Sequence, residues 1–311
     1  MIKIGTTKFK NGEINPIHNM LNPFAALDSI RNAYKKYVET FQRFKNPAIQ
    51  DWVGEKLAKG TLIFKGPYIE LNRRFQAGDA FQDLISEGLL HIDTSRCFTN
   101  DPKDKSSPVV ELYRHQSEAI RRIISGMNTI IATGTGSGKS FCFGIPIISE
   151  CLRLNDKGVK GVKAIIVYPM NALANSQYDE FSVRLAGSGL KIALYTGDTK
   201  NSRKEALAGY LSLTGRKEPY DSELISRDEI KETPPDILLT NYVMLEYILT
   251  RFHDKEIFPE ANLGVLKFLV LDEVHTYTGR QGADVAYLIR RLKQHTRTTG
   301  ELLCIGTSAT V

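Results

Sequence analysis

The octapeptide Thr133-Gly-Thr-Gly-Ser-Gly-Lys-Ser140 constrains this chain more than any other stretch. It follows the short β-branched run Thr129–Ala132 and precedes an apolar helical pattern, so it reads as a glycine-built turn from strand to helix. Glycines let backbone N–H groups approach an anion closely, and the following helix turns its positive dipole end toward it. On this reading Thr133, Gly134, Thr135, Gly136, Ser137 and Gly138 wrap the phosphates of a nucleotide. Lys139 sets a cation against the β- and γ-phosphates, and Ser140 offers a hydroxyl to Mg²⁺. A chance glycine-rich turn accounts poorly for the strand before it and the helix after it. The strict form of the motif has glycine where this chain has Thr133.

Further apolar runs follow at Ala164–Tyr168, Ile192–Tyr195, 236–240, Phe268–Leu271 and 303–306, with helical patterns between them. Buried strands alternating with helices predict an α/β fold, a parallel sheet between helices. Residues 200–235 are charged and lack a clear strand, which predicts surface helices and loops, with Ser226-Arg-Asp-Glu229 as a capping box. Upstream the pattern is mainly helical. Asn22-Pro23 opens a helix in which Phe24, Leu27, Ile30, Tyr34, Val38 and Phe41 recur at helical spacing; a second helix is expected over 47–57 and a third from Gly78-Asp79 to Leu89. Residues 61–65 read as a short strand, and the polar stretch 99–108, with two prolines, reads as a linker. The expected domains are an N-terminal accessory region, 1–107, and an α/β domain, 108–311.

Two acidic and hydroxylic clusters stand at strand ends. Leu271-Asp-Glu-Val-His275 follows Phe268–Leu271, so Asp272 can hold Mg²⁺ and Glu273 can orient an attacking water. A helix N-cap explains such a pair about as well when it stands alone; its position downstream of a phosphate loop favours the catalytic reading. Ser308-Ala-Thr310 follows the run 303–306 and is uninformative without the two motifs before it.

In this order the motifs resemble the first motor domain of superfamily 2 helicases, which commonly relax the first glycine of the phosphate loop. The wording YPMNALANSQ, LLTNYVMLEYIL and DEVHTYTGRQGADVAYLIRRLK resembles one branch, the DEAD/DEAH-type DNA helicases related to mitomycin repair factor A, their fungal RecQ-like relatives and helicases of anti-phage systems such as DISARM. The resemblance is strong over 108–311 and looser over 65–71. It implies a RecA-like P-loop NTPase domain using ATP and Mg²⁺. It places Gln116, in Tyr113-Arg-His-Gln116, on the adenine edge. It places Pro169, Asn171, Ala172 and Gln177 of Tyr168-Pro-Met-Asn-Ala-Leu-Ala-Asn-Ser-Gln177 on the nucleic-acid backbone, with Gly197 of Tyr195-Thr-Gly-Asp198 and Thr240 and Asn241 of Leu239-Thr-Asn-Tyr242. His275, Ser308 and Thr310 would couple the two sites. The loop Thr276-Tyr-Thr-Gly-Arg-Gln-Gly282 reads either as a sensor of nucleic acid, through Tyr277 and Arg280, or as a structural turn with Tyr277 packed in the core.

The implied partner is DNA, single-stranded or partly duplex, with RNA as the alternative; DEVH rather than DEAD argues against RNA. A nucleotide-dependent binding module without turnover is a further alternative. The net charge of +6, with ten Lys/Arg against five Asp/Glu in residues 1–60, suits a polyanion but equally a solvated helix face. No apolar run approaches the roughly 18 residues of a membrane span, and Cys97, Cys142, Cys151 and Cys304 form no paired metal motif. A cytoplasmic protein is expected. The chain ends one residue past Ser-Ala-Thr, which suggests a fragment of a longer chain carrying a second motor domain, C-terminal regions and contacts to repair or defence proteins.

Overall fold

The computed structural model describes residues 22–41, 44–58, 75–298, 300 and 302–309. The chain divides into two compact units, residues 1–73 and 74–311. In the first, α1 (Pro23–Phe41) and α2 (Pro47–Ala58) begin alike. Asn22 Oδ1 accepts the N–H groups of Phe24 at 3.0 Å and Ala25 at 3.3 Å, and Asn46 Oδ1 accepts that of Ala48 at 3.0 Å. Each Asn-Pro pair thus supplies a capping oxygen and a first helical residue that needs no partner for its nitrogen. The expected strand at 61–65 and the looser match at 65–71 lie outside the described residues.

The second unit holds, in order, α3 (Phe81–Ser86), α4 (Thr94–Cys97), α5 (Arg114–Ile124), β1 (Thr129–Ala132), α6 (Lys139–Asp156), β2 (Ala164–Tyr168), α7 (Asn171–Leu185), β3 (Ile192–Tyr195), α8 (Arg203–Thr214), β4 (Glu223–Leu224), α9 (Arg227–Glu232), β5 (Ile237–Asn241), α10 (Tyr242–Thr250), β6 (Phe268–Leu271), α11 (Gly279–His295) and β7 (Leu303–Ser308). Seven strands form one sheet in the order β1-β7-β6-β2-β5-β3-β4. Every pairing is parallel. Alternation along the strands builds two cores. Ala164, Ile166 and Tyr168 of β2 face one with α5, α6 and α7; Ile165 and Val167 face the other with α10 and α11. Helices cover both faces, as an all-parallel sheet requires.

Three expectations change. Residues 200–235 do contain a strand, β4, paired with β3. Its Glu223 is buried and takes hydrogen bonds from Arg216, the Tyr210 hydroxyl at 2.8 Å and the Tyr220 N–H at 2.7 Å. A two-residue strand led by a carboxylate carries no apolar signal. The capping box at Ser226 forms, with Glu229 Oε2 accepting the Ser226 N–H at 3.1 Å. The third helix is shorter than expected, ending at Ser86, and Leu89 and Leu90 bond back to the Leu84 carbonyl. The stretch 99–108 is no free linker. Thr99 bridges Val109, the Asn100 N–H donates to the Pro108 carbonyl at 2.8 Å, and Lys105 Nζ donates to the carbonyls of Val183 and Arg184 at the end of α7. Phe81, Leu84, Leu90 and Phe98 join the first core. Residues 75–107 therefore pack within the second unit.

Candidate functional site

Because all strands are parallel, the loops after β1, β7, β6, β2, β5 and β3 open along one edge of the sheet. The motifs occupy that edge in two groups. The first lies over β1, β7 and β6.

The phosphate loop spans the turn from β1 into α6, with Gly136 at φ +75° and Gly138 at φ +74°. Gly138 is required twice over. A Cβ there would meet Gln116 Nε2 at 2.5 Å, and its left-handed backbone disfavours any side chain. Lys139 Nζ donates to the carbonyls of Thr133 at 2.9 Å and Gly134 at 3.2 Å, so the ammonium lies over the loop. The Thr133 and Ser137 hydroxyls bond each other at 2.7 Å. Thr135 and Gly136 are exposed.

Gln116 turns its amide onto the protein. It is buried; Nε2 donates to the carbonyls of Ser137 at 3.3 Å and Gly138 at 3.1 Å, and Oε1 accepts the Tyr113 N–H at 2.8 Å. Its role here is to brace the phosphate loop and cap α5. The surface beside it is aromatic instead. His115 Nε2 lies 3.0 Å from the Ser137 carbonyl, and the rings of Phe75 and Tyr113 lie 5.2 Å and 5.9 Å from that of His115. Sequence reading missed Phe75 because a single aromatic residue before a turn has no motif.

Across from the loop, Asp272 and Glu273 follow β6. Burial pushes the Asp272 carboxyl above the usual carboxylate range, against the pull of the Thr307 hydroxyl, which donates to it, and of Lys139. Glu273 adopts a left-handed backbone, φ +48°, one of two non-glycine residues with positive φ among those described. Such a conformation costs on the order of 1–3 kcal/mol and persists only where neighbours enforce it. Here the Thr307 hydroxyl accepts the Glu273 N–H at 3.3 Å, and Glu273 Oε2 accepts the Ala309 N–H at 3.1 Å. His275 Nδ1 lies 3.1 Å from Ser308 Oγ and 3.3 Å from Glu273 Oε2. The structure thus brings His275, Ser308 and the acidic pair together. Thr310 lies outside the described residues. Thr307 was missed: a buried threonine inside β7 reads as an ordinary strand residue, yet it clamps both acids.

The second group lies over β2, β5 and β3. Asn241 Nδ2 donates to Asn171 Oδ1 at 2.8 Å, and Asn171 Nδ2 donates to Asp198 Oδ2 at 3.2 Å. Three loops on adjacent strands are thereby tied in a row. Met170, Ala172 and Gly197 are exposed on them, and Pro169 is half-buried. Thr240 is fully buried, and its hydroxyl donates to the Tyr195 carbonyl at 2.7 Å, which staples β5 to β3. Gln177 sits toward the first group: Ser140 Oγ donates to Gln177 Oε1 at 2.8 Å.

The loop after the acidic pair supports the packed alternative for Tyr277. Its ring packs on the second core, 6.4 Å from that of Tyr242. Burial pushes its hydroxyl up to about 12 and leaves it without a hydrogen-bond partner. A Cβ on Gly282 would meet the Tyr277 carbonyl oxygen at 2.8 Å, so that glycine is there for close approach rather than motion. Arg280 is exposed. A cleft of about 320 Å³ opens between Pro169, Asn241, Tyr242, Val243, Thr276, Tyr277 and Gln281.

Comparison with known proteins gives a family and a likeness of fold. The family model described as DEAD/DEAH box helicase matches residues 113–311. The Druantia protein DruE of Escherichia coli (strain UMEA 4076-1) is 27% identical over 91% of this chain and 20% of its own length. An uncharacterised ATP-dependent helicase, YprA, of Bacillus subtilis (strain 168) is 30% identical over 65% of this chain and 23% of its own length. The chain therefore spans about a fifth to a quarter of these curated relatives. Among solved structures, the DUF1998 helicase MrfA bound to DNA and AMPPNP matches 77% of this chain and 28% of that one, with a TM-score of 0.53 and 24% identity, a likeness of fold.

Proposed function

The chain belongs to the DEAD/DEAH box helicase family, and on that basis we propose that it is the first motor domain of an ATP-dependent DNA helicase or translocase. The observation that carries this reading is the division of one sheet edge. The phosphate loop, acidic pair and Ser308 lie over β1-β7-β6; the Asn171-Asn241-Asp198 row lies over β2-β5-β3.

ATP would lie on the phosphate loop, with Lys139 released from the loop carbonyls onto the β- and γ-phosphates. Its base would rest against the Phe75, Tyr113 and His115 rings, since the Gln116 amide is committed to the loop. The donor set fits Mg²⁺: a hydroxyl on Ser140 and a half-buried carboxylate on Asp272. Among the described residues no group of three His, Cys, Asp or Glu side chains is placed to hold a metal ion by itself, and Mg²⁺ is ordinarily held by one or two protein oxygens together with nucleotide phosphates and water. When bound, that ion would supply charge neutralisation at the phosphates. Glu273, fixed by Thr307 and Ala309, orients the attacking water and takes its proton. Glu273 Oε2 also faces His275 and thereby Ser308, a route by which the state of β7 reaches the water.

The second group would grip the phosphodiester backbone. Its donors are short polar side chains and loop N–H groups, which position a strand without reading its bases. DNA repair or anti-phage defence is the setting to which the resemblance to mitomycin repair factor A and to DISARM-type helicases points. Fluorescence anisotropy with single-stranded DNA, and with RNA of the same sequence as competitor, tests the partner. Asn171→Ala cuts both ties among the three loops and should weaken DNA binding about three- to tenfold on every sequence, on the order of one neutral hydrogen bond. Nucleotide affinity without DNA should hold. Unchanged DNA affinity in the variant, or preference for RNA in the parent, contradicts the reading.

A further inference from the structure

We propose that Gln177 is a positioning residue for the metal-binding hydroxyl of Ser140, making α7 a rigid connection between the nucleic-acid loops and the nucleotide's cation. The inference rests on the reading of Ser140 as a Mg²⁺ ligand. A serine hydroxyl has one proton and two lone pairs. To coordinate a cation through its oxygen it must send the proton elsewhere. A serine inside a helix can send it to the carbonyl one turn back, but Ser140, the second residue of α6, has no helical turn before it. In this chain Ser140 Oγ instead donates to Gln177 Oε1 at 2.8 Å, across 37 residues of sequence. That bond fixes the hydroxyl rotor and leaves its lone pairs for a cation beside Lys139 and the phosphates.

Gln177 also has a defined mechanical place. It stands six residues after Asn171, the first residue of α7, so about 9 Å along one helix at 1.5 Å per residue. Asn171 is the central member of the row that joins the loops of β2, β5 and β3. Movement of that row on binding a phosphodiester backbone shifts α7 as a body. The carbonyl that orients Ser140 then moves with it. No such link is legible in sequence, where Gln177 reads as one more backbone contact.

The test measures binding of a fluorescent ATP analogue by the full 311-residue chain as free Mg²⁺ is varied, and again in EDTA. Gln177→Met keeps the length of the side chain and removes the acceptor. It should raise the Mg²⁺ concentration for half-maximal binding about three- to tenfold, the span of one neutral hydrogen bond. Affinity in EDTA should not change. Gln177→Glu, which can only accept, should need no more Mg²⁺ than the parent chain. In a Ser140→Ala background Gln177→Met should add nothing. A Mg²⁺ requirement unchanged by Gln177→Met, or an equal effect with and without Ser140, overturns the proposal while leaving the nucleotide site standing. Mg²⁺-independent binding by the parent chain would overturn the reading of Ser140 itself.

Discussion

Lys139→Ala should lower the affinity of the chain for ATP with Mg²⁺ by roughly 10- to 150-fold. Charge-assisted hydrogen bonds contribute about 1.5–3 kcal/mol each, and Lys139 is the cation of the phosphate loop. In the structure its ammonium already lies over that loop, bonded to the carbonyls of Thr133 and Gly134. Transfer to a phosphate exchanges neutral acceptors for charged ones over a short swing of the side chain. The fold should survive, since those two bonds are local and the loop is braced independently by Gln116. Calorimetric titration of parent and variant, with circular dichroism as a control, measures the effect. Equal affinities with an intact fold would remove the phosphate loop from the account.

Asp236→Ala should destabilise the second unit by about 3–5 kcal/mol, the usual cost of leaving one partner of a buried ion pair alone. The Lys163 side chain is 1% exposed, and its ammonium donates to Asp236 Oδ1. Asp236 Oδ2 also accepts the Lys191 N–H at 2.6 Å. The carboxylate thus joins the beginnings of β2, β3 and β5, at the edge of the sheet opposite the site. Replacing both charges, as Lys163→Met with Asp236→Leu, should recover much of the loss, because no unpaired charge then remains buried. Urea unfolding of the three chains gives the comparison. A cost under about 1 kcal/mol for Asp236→Ala would mean that water reaches Lys163.

Six of the seven strands were legible because a buried parallel strand is an apolar run with nothing else in it. β4 was hidden because its stability comes from Glu223, whose partners Arg216 and Tyr210 lie on the preceding segment and have no sequence period. Residues 75–107 read as a separate region because the polar stretch 99–108, with two prolines, has the composition of a linker. Only packing shows Phe81, Leu84 and Phe98 entering the first core.

The motifs mark the candidate site, while the surroundings of several residues within it depend on three-dimensional neighbours. Gln116, Gln177 and Thr240 all stand in motifs, and each turns its side chain onto the protein: onto the phosphate loop, Ser140 and the Tyr195 carbonyl. Side-chain direction depends on which hydrogen-bonding group lies within reach, and a linear pattern does not encode that. Thr307 shows the reverse case. It carries no signal in the sequence, but from β7 it reaches both Asp272 and Glu273, just after the neighbouring strand β6.

The central claim is that one sheet edge holds two ligands side by side, and hydrogen–deuterium exchange on the 311-residue chain tests it most directly. A non-hydrolysable ATP analogue with Mg²⁺ should slow exchange at 133–140 and 272–275, and single-stranded DNA should slow it at 169–172, 196–198 and 241–243. Protection by both ligands in the same segments, or by DNA only outside 169–243, would contradict the division of the edge.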